Sequence, residues 1–200
     1  TKGCQLDIID AQVAASDSDG LYDVLRQSAR FTRLDRVYLV YVSPRFSHRA
    51  GVGGETYSYR DDSPVASRNI NTYGGNMARI YTWSQVTVAH ELGHAMGSVM
   101  PAAPGATTNG HCWDGGNAHD PGADIMCYED GGLPPGRTQV DLCAGDAGRP
   151  VHYFDCNKDT YFNVNPRPGS YLATHWNIAR SLYMTSAVVD SRDFLSARRR

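Results

Sequence analysis

Residues 90–97 read HELGHAMG, which places two histidines four residues apart with a glutamate directly after the first. On a helix, residues four apart lie on one face, so His90 and His94 can share a single Zn²⁺ ion. Glu91 can reach a water beside the metal without being a ligand itself, which suits a general base. The stretch therefore predicts an active-site helix that carries two metal ligands and a catalytic carboxylate.

The residues on either side of this stretch indicate where the helix begins and ends. Thr82 or Ser84 can cap its N-terminus, because a side-chain oxygen at that position accepts a hydrogen bond from the first turn. Gly97 lets the chain turn sharply out of the helix. We therefore expect a helix from about residue 84 to residue 97.

The preceding part of the chain predicts strands and a second helix. Four segments are rich in apolar, β-branched or aromatic residues and are predicted as strands or strand-like pieces: 4–13, 36–42, 55–59 and 77–82. The polar cluster 16–20 precedes apolar residues at helical spacing, which indicates an amphipathic helix from about Leu21 to Arg33. This order predicts an α/β (α+β) fold in which a twisted, mostly parallel sheet lies behind the active-site helix.

The second half of the chain has a different composition. Residues 98–150 are rich in Gly, Pro, Asn and Asp and show no period, which is unusual in a compact domain unless cysteines or a metal pin the segment. Apolar residues return at helical spacing in 170–184, and Ser170 can cap a helix there. We expect one domain spanning 1–200, with an N-terminal subdomain of about 1–97 and an irregular C-terminal subdomain of about 98–200 that carries one helix.

Composition excludes several classes of function. The 200 residues have a net charge of −2, so nothing indicates binding to nucleic acid. No apolar run approaches the roughly 18 residues that a membrane helix needs, so we expect no membrane partner. Five cysteines and few lysines favour a secreted protein. A monomer is the expected state.

The pattern HExxHxxG at residues 90–97 resembles the opening of the metzincin signature HExxHxxGxxH. In that signature the third zinc ligand falls six residues after the second histidine. Here that position is Met100, and a thioether is a poor partner for zinc. A catalytic zinc usually takes three protein ligands, so either the site is incomplete or the third ligand comes from later in the chain.

A second segment, DIMCY at residues 124–128, looks like the Met-turn of the same family. The tyrosine two residues after the methionine is also similar to the astacin and serralysin branches. The resemblance implies that Met126 forms a hydrophobic floor beneath the zinc rather than a ligand. It also implies that Tyr128 lies near the metal and can donate a hydrogen bond to an oxyanion. A purely structural role for Tyr128 in the core is equally open.

Several residues between Gly97 and Met126 can supply the third ligand. We favour His111, with His119 or a carboxylate as alternatives; the carboxylates are Asp114 and Asp120. The sequence HCWD at 111–114, followed by DIMCY, resembles secreted actinobacterial metalloproteases in which HC-x-D leads quickly into D-x-M-C-Y. On that comparison 98–110 and 115–123 are extra sequence, and the resemblance covers residues 84–178.

The cysteines fit disulfides better than a second zinc site, because none of them forms a CxxC pair. We expect disulfides between Cys112 and Cys127, beside the Met-turn, and between Cys143 and Cys156. Cys4 is left without an assigned partner.

A calcium site is a further possibility at residues 155–159, where oxygen-bearing side chains alternate along the chain. The EF-hand pattern fails, because Thr160 stands where that loop needs glycine and Pro166 where it needs glutamate. A looser Ca²⁺ site stays open.

The predicted function is that of a secreted zinc endopeptidase in which Glu91 activates the attacking water. In metzincins the strand before the active-site helix, here 77–82, pairs with an extended protein or peptide substrate, which is β-augmentation. Two alternatives remain: a zinc hydrolase of a non-protein amide, and a catalytically silent binding module that retains zinc.

Overall fold

The computed structural model describes residues 18–28, 31, 36–42, 51–72, 76–82, 84–113, 124–128, 130–132, 154–156 and 158–184. Several predictions lie outside these ranges: the strand at 4–13, the alternative ligands Asp114, His119 and Asp120, and the cysteines Cys4 and Cys143.

The described sheet has three strands in the order β1-β3-β2, where β1 is Tyr38–Tyr41, β2 is Gly54–Thr56 and β3 is Met77–Ile80. β1 runs parallel to β3, and β2 runs antiparallel to it. The sheet is therefore mixed rather than mostly parallel. Two parallel neighbours need a crossover connection, which is usually helical. The described part of the connection from β2 to β3 contains only a 3₁₀ turn, Ile70–Thr72, in keeping with the antiparallel pairing of these two strands.

The position of β3 corrects one expectation. β3 lies between the two other strands, so both of its hydrogen-bonding edges are occupied, and all four of its residues are buried. The prediction that residues 77–82 pair with substrate is therefore wrong. Within the described residues, the outer strand beside the active-site helix is β2, which is only partly buried.

The helix predicted around His90 and His94 is confirmed as α2, Gln85–Ala95. Ser84 is its N-cap, and the Ser84 hydroxyl accepts a hydrogen bond from the Thr87 amide at 3.4 Å. Gly97 follows the helix with φ +77°, a left-handed conformation that favours glycine. A Cβ at Gly97 would also lie 2.3 Å from Cγ of Asn71, so the turn packs too closely against that side chain for any other residue.

The first helix, α1, spans Ser18–Gln27 and ends about six residues before the predicted end at Arg33. Leu25 is buried in a small cluster with Tyr38 and Met77, which places α1 against the sheet. After the helix, Phe31 packs edge-on against Tyr38 with ring centroids 5.7 Å apart. The Phe31 amide donates to the Ser28 carbonyl, just after the end of the helix, and Phe31 packs against the same cluster as Leu25.

The single helix predicted at 170–184 is wrong in its continuity. The structure has one helical turn, α3 (Tyr171–Thr174), and then a separate 3₁₀ turn, Ile178–Arg180. One hydrogen bond from outside the segment and one within it maintain the break. Asp62 accepts from the Trp176 amide at 3.0 Å, and the Asn177 side chain caps the 3₁₀ turn at Ala179.

Most buried side chains of the second half form one core with the end of α2; its largest members are Met126, Tyr161, Trp176 and Ile178. The indole N–H of Trp176 donates to the Met96 carbonyl at 2.9 Å and so fixes the C-terminal segment to the end of α2. Together, the sheet, α2 and this core give a mixed α/β architecture.

The predicted disulfide between Cys112 and Cys127 is confirmed. It closes a loop with a sequence separation of 15, and closure of such a loop contributes about 3 kcal/mol on the chain-entropy model. Cys156 is also in a disulfide, although its predicted partner Cys143 lies outside the described residues. Disulfides indicate an oxidising compartment. No helix in the described ranges is long and apolar enough to cross a membrane.

Candidate metal centre

Three histidines from two parts of the chain converge on one point. The Nε2 atom of His94 lies 3.1 Å from Nε2 of His90 and 3.1 Å from Nε2 of His111. His90 and His94 come from α2, and His111 comes from the irregular segment that follows it. These residues could hold a metal ion, since one ring nitrogen of each lies within 4.8 Å of the others.

Local backbone bonds place His111 opposite α2. The His111 carbonyl accepts from the Thr107 amide at 2.8 Å, and the Cys112 amide donates to the Met126 carbonyl at 3.1 Å. The Cys112–Cys127 disulfide then joins this segment to the one containing Met126. The third histidine is thus held by a disulfide and a backbone ladder rather than by a helix.

The outer nitrogens of two of these rings have partners of their own. His90 Nδ1 lies 2.6 Å from the Ile125 carbonyl, and His111 Nδ1 lies 2.6 Å from a carboxylate oxygen of Asp130. A carbonyl and a carboxylate can only accept, so each Nδ1 carries the proton and donates. In the neutral ring, Nε2 then carries the lone pair that a metal needs.

Burial keeps these imidazoles neutral. It lowers the pKa of His90 to about 4, against the opposing effect of the Ile125 carbonyl. It lowers the pKa of His94 well below its ordinary value, and the two neighbouring histidines add to the effect. Burial also lowers the pKa of His111, although Asp130 opposes the shift. Three neutral nitrogens directed at one another are a donor set that fits a borderline cation such as Zn²⁺.

Glu91 lies beneath β2 in tightly packed surroundings. Its side chain is buried, and its Oε2 atom has no hydrogen-bond partner within the described ranges. Burial raises the pKa of Glu91 to about 7, against the opposing effect of the Thr56 hydroxyl. A carboxyl with this pKa and a free oxygen can accept and return a proton near neutral pH.

An ion pair borders the Glu91 environment. Arg79 on β3 lies 3.0 Å from a carboxylate oxygen of Glu55 on β2, and the Tyr81 hydroxyl donates to the same oxygen at 2.9 Å. The charges of Glu55 and Arg79 act on the pKa of Glu91 in opposite directions. The pair therefore joins β2 to β3 beside Glu91 without imposing a single sign of charge on that carboxyl.

Gly54 is required for the close approach of β2 to Glu91. A Cβ at Gly54 would lie 2.7 Å from Cγ of Glu91 and 2.8 Å from the Arg79 carbonyl oxygen. Gly54→Ala is therefore expected to destabilise the fold by about 1–3 kcal/mol, the usual cost of overpacking. Thermal unfolding of this variant measures the effect. Gly51→Ala is the control for backbone strain without steric overlap, because position 51 has open space around it but φ +84°. An unchanged midpoint for Gly54→Ala would contradict the contact.

Met126 lies below α2, fully buried, and its sulfur would be 2.7 Å from a Cβ placed on Gly93. It belongs to the main core, as expected for a hydrophobic floor. Asp124 forms the turn around it by accepting from the Met126 amide at 2.8 Å, the Tyr161 hydroxyl at 2.6 Å and the Cys156 amide at 2.8 Å. This turn also provides the Ile125 carbonyl that orients His90.

Tyr128 lies at the histidine cluster rather than in the hydrophobic core. Its hydroxyl donates to Nε2 of His111 at 2.9 Å, and the two rings are 4.4 Å apart. Burial raises the pKa of Tyr128 to about 12, and the charges of Glu91 and Asp130 add to the shift. The phenol therefore stays protonated at neutral pH and is available as a hydrogen-bond donor.

Asp130 is a residue that our sequence reasoning missed. It accepts from His111 Nδ1 at 2.6 Å and from the Thr107 hydroxyl at 2.8 Å through one oxygen, and from the Gly132 amide at 2.7 Å through the other. Partial burial raises its pKa, but these hydrogen bonds outweigh that effect and lower it. The available signal was a carboxylate two residues after Tyr128, just beyond the turn.

Asp130→Ala is expected to weaken metal binding by about 10–100-fold, the usual effect of losing a partner of a ligating histidine. Competition with a chromophoric chelator measures the affinity. Asp130→Asn is the matched variant, because its amide oxygen can still accept from His111 and should recover part of the loss. Equal affinity in the alanine variant and the unaltered protein would show that Asp130 does not orient the ligand.

The proposed calcium loop has a different role in the structure. The Asp155 carboxylate accepts from the backbone amides of Tyr161 at 2.7 Å and Phe162 at 2.5 Å, and also from those of Asp159 and Thr160. Burial raises its pKa to about 6. Its oxygens face N–H donors, so Asp155 organises a turn instead of offering ligands to a cation, and the loop gives no support to Ca²⁺ binding.

The described residues thus define a mixed α/β protein with a disulfide and a three-histidine group that can hold a metal ion. Comparisons with known protein families, curated proteins and solved structures find no match to the chain.

Proposed function

We propose that this protein is a secreted zinc endopeptidase of metzincin-like build. The observation that carries the proposal is the convergence of His90, His94 and His111. The buried carboxyl of Glu91 is on α2, the helix that carries His90 and His94. Zinc is favoured because it commonly takes three nitrogen ligands in catalytic sites and leaves a position for water. The disulfide supports the secreted location, since such bonds persist in oxidising compartments.

In this mechanism His90, His94 and His111 would hold the ion, and Ile125 and Asp130 fix the orientation of two of the rings. The ion would supply Lewis-acid chemistry, lowering the pKa of a water and polarising a carbonyl. Glu91 accepts the proton of the attacking water on its carboxylate and passes it to the leaving amine. Tyr128 donates a hydrogen bond to the developing oxyanion.

The strand that would accept the substrate backbone is β2. It is the outer strand beside α2, and a Cβ at Gly54 would contact Glu91, so a peptide paired along β2 passes next to the catalytic carboxylate. Main-chain pairing of this kind requires an extended substrate. The preferred substrates are therefore unfolded proteins, exposed loops and peptides.

Incubation of the purified protein with casein and with a mixture of amide and ester compounds without peptide bonds tests this function. We expect cleavage of casein, its loss after treatment with a chelator, and its return on addition of zinc. Turnover of the non-peptide amides alone would favour the alternative hydrolase. Stoichiometric zinc without any turnover would favour the silent binding module.

A further inference from the structure

A cavity of about 330 Å³ opens next to the histidine cluster. One side is formed by Ser58 and Arg60, which follow β2 directly, and the other by the segments 99–101 and 106–110. A Cβ at Gly110 would lie 4.0 Å from Cε1 of His94, so the wall of the cavity reaches a metal ligand. The cavity therefore lies where a chain paired along β2 and passing the metal would place a side chain.

The cavity is held rigidly to the metal centre by hydrogen bonds. The Thr107 hydroxyl and the Asn109 side chain donate to Asp130 at 2.8 and 2.9 Å, and the Thr108 amide donates to the Gly132 carbonyl at 3.1 Å. Asp130 is also the partner of His111. The wall of the cavity and the orientation of the third histidine thus depend on the same short segment.

The backbone of the same wall is strained at Val99. Val99 has φ +52°, a conformation that a β-branched residue rarely adopts, and it is buried together with Met100. Strain of this kind is kept where the surrounding packing fixes a particular shape, and it concentrates at binding sites. Met100 stands where the signature HExxHxxGxxH has its last histidine. The residue at that ligand position therefore lines the cavity in this protein.

Charge gives the cavity a chemical preference. Arg60 is exposed and is the single charged residue among those that line it. The two aspartates that follow it are engaged elsewhere. Asp61 accepts from the backbone amides of Ser63 and Ile70, and Asp62 accepts from the Tyr171 hydroxyl and the Trp176 amide. Arg60 forms no ion pair with any described residue.

We propose that this cavity binds a carboxylate of the substrate, with Arg60 as the residue that determines this specificity. The aliphatic part of an acidic side chain packs against Val99, Met100 and Ala106, and its carboxylate meets the guanidinium at the rim. The carboxylate belongs to an internal glutamate or aspartate or to the C-terminus of the substrate. This inference rests on the proposed endopeptidase function, because it assigns the cavity to the same substrate.

Peptide binding to zinc-loaded Glu91→Gln protein tests the proposal without depending on cleavage. The probe is a library of decapeptides, made once with free C-termini and once with amidated ones, and bound peptides are identified by mass spectrometry. We expect glutamate to be enriched over glutamine about two- to fivefold at one position, which is the effect of one exposed ion pair. Stronger retention of the free-acid library than of the amidated library, without a preference for glutamate, would instead assign the carboxylate to the C-terminus.

Variants at Arg60 decide whether the cavity is responsible. Arg60→Gln should abolish the enrichment and Arg60→Lys should retain part of it. Arg167→Gln, at another exposed arginine, should leave it unchanged. The absence of both preferences, for glutamate and for a free C-terminus, or the same preference in Arg60→Gln, overturns the proposal. Cleavage of casein by the unaltered protein reports on the proposed function separately, since it does not require any preference for acidic residues.

Discussion

Glu91→Gln is expected to reduce peptide hydrolysis about 10²–10⁴-fold, the usual contribution of a general acid or base. Glutamine has almost the same size and can occupy the buried space below β2, but its amide cannot accept the proton of the attacking water. The rate of cleavage of a quenched fluorescent peptide measures the effect, and metal analysis of the same sample should find the zinc content unchanged.

The matched control is Gln85→Ala, which alters an exposed side chain at the start of the same helix. It should leave both the rate and the metal content intact. If Glu91→Gln retained the full rate, the proton would have to be transferred by another group and the mechanism would be wrong. If it lost the zinc as well, Glu91 would have to help hold the ion.

His111→Ala is expected to have the second large effect, on metal affinity. Removal of one of three ligands should weaken binding by more than the roughly 10–100-fold that follows from loss of a ligand's hydrogen-bond partner. The imidazole of His111 supplies the Nε2 that lies 3.1 Å from that of His94, and the structure places no other described side-chain nitrogen, sulfur or carboxylate in that group. Chelator competition measures the affinity.

His175→Ala is the control for this variant, because His175 stacks on Tyr171 in the C-terminal segment, outside the histidine cluster. It should bind zinc as tightly as the unaltered protein. Undiminished affinity in His111→Ala would place the third ligand elsewhere. His119, Asp114 and Asp120 would then be the candidates for that ligand.

Features fixed by neighbouring residues were predictable from the sequence. The helix around His90 and His94 follows from a serine cap, helical spacing and a glycine at its end, all within fifteen residues. The strands β1 and β3 follow from continuous apolar and β-branched runs. The disulfide between Cys112 and Cys127 was expected because no cysteines form a CxxC pair and because Cys112 follows His111, and the structure contains it.

Features fixed by distant contacts were not predictable. The antiparallel pairing of β2 depends on where the chain returns after residue 57, which no local pattern encodes. The break at Trp176 depends on Asp62, 114 residues earlier. Asp130 could be assigned only once the structure placed it against His111, because a single aspartate beyond a turn has no distinguishing pattern.

The most direct test of the three-histidine zinc site is zinc-edge X-ray absorption on the purified protein. We expect one zinc per chain with three nitrogen ligands at about 2.0–2.1 Å, and a lower nitrogen count in His111→Ala reconstituted at excess zinc. A folded protein that binds no stoichiometric zinc, or a coordination shell that His111→Ala leaves unchanged, would contradict it.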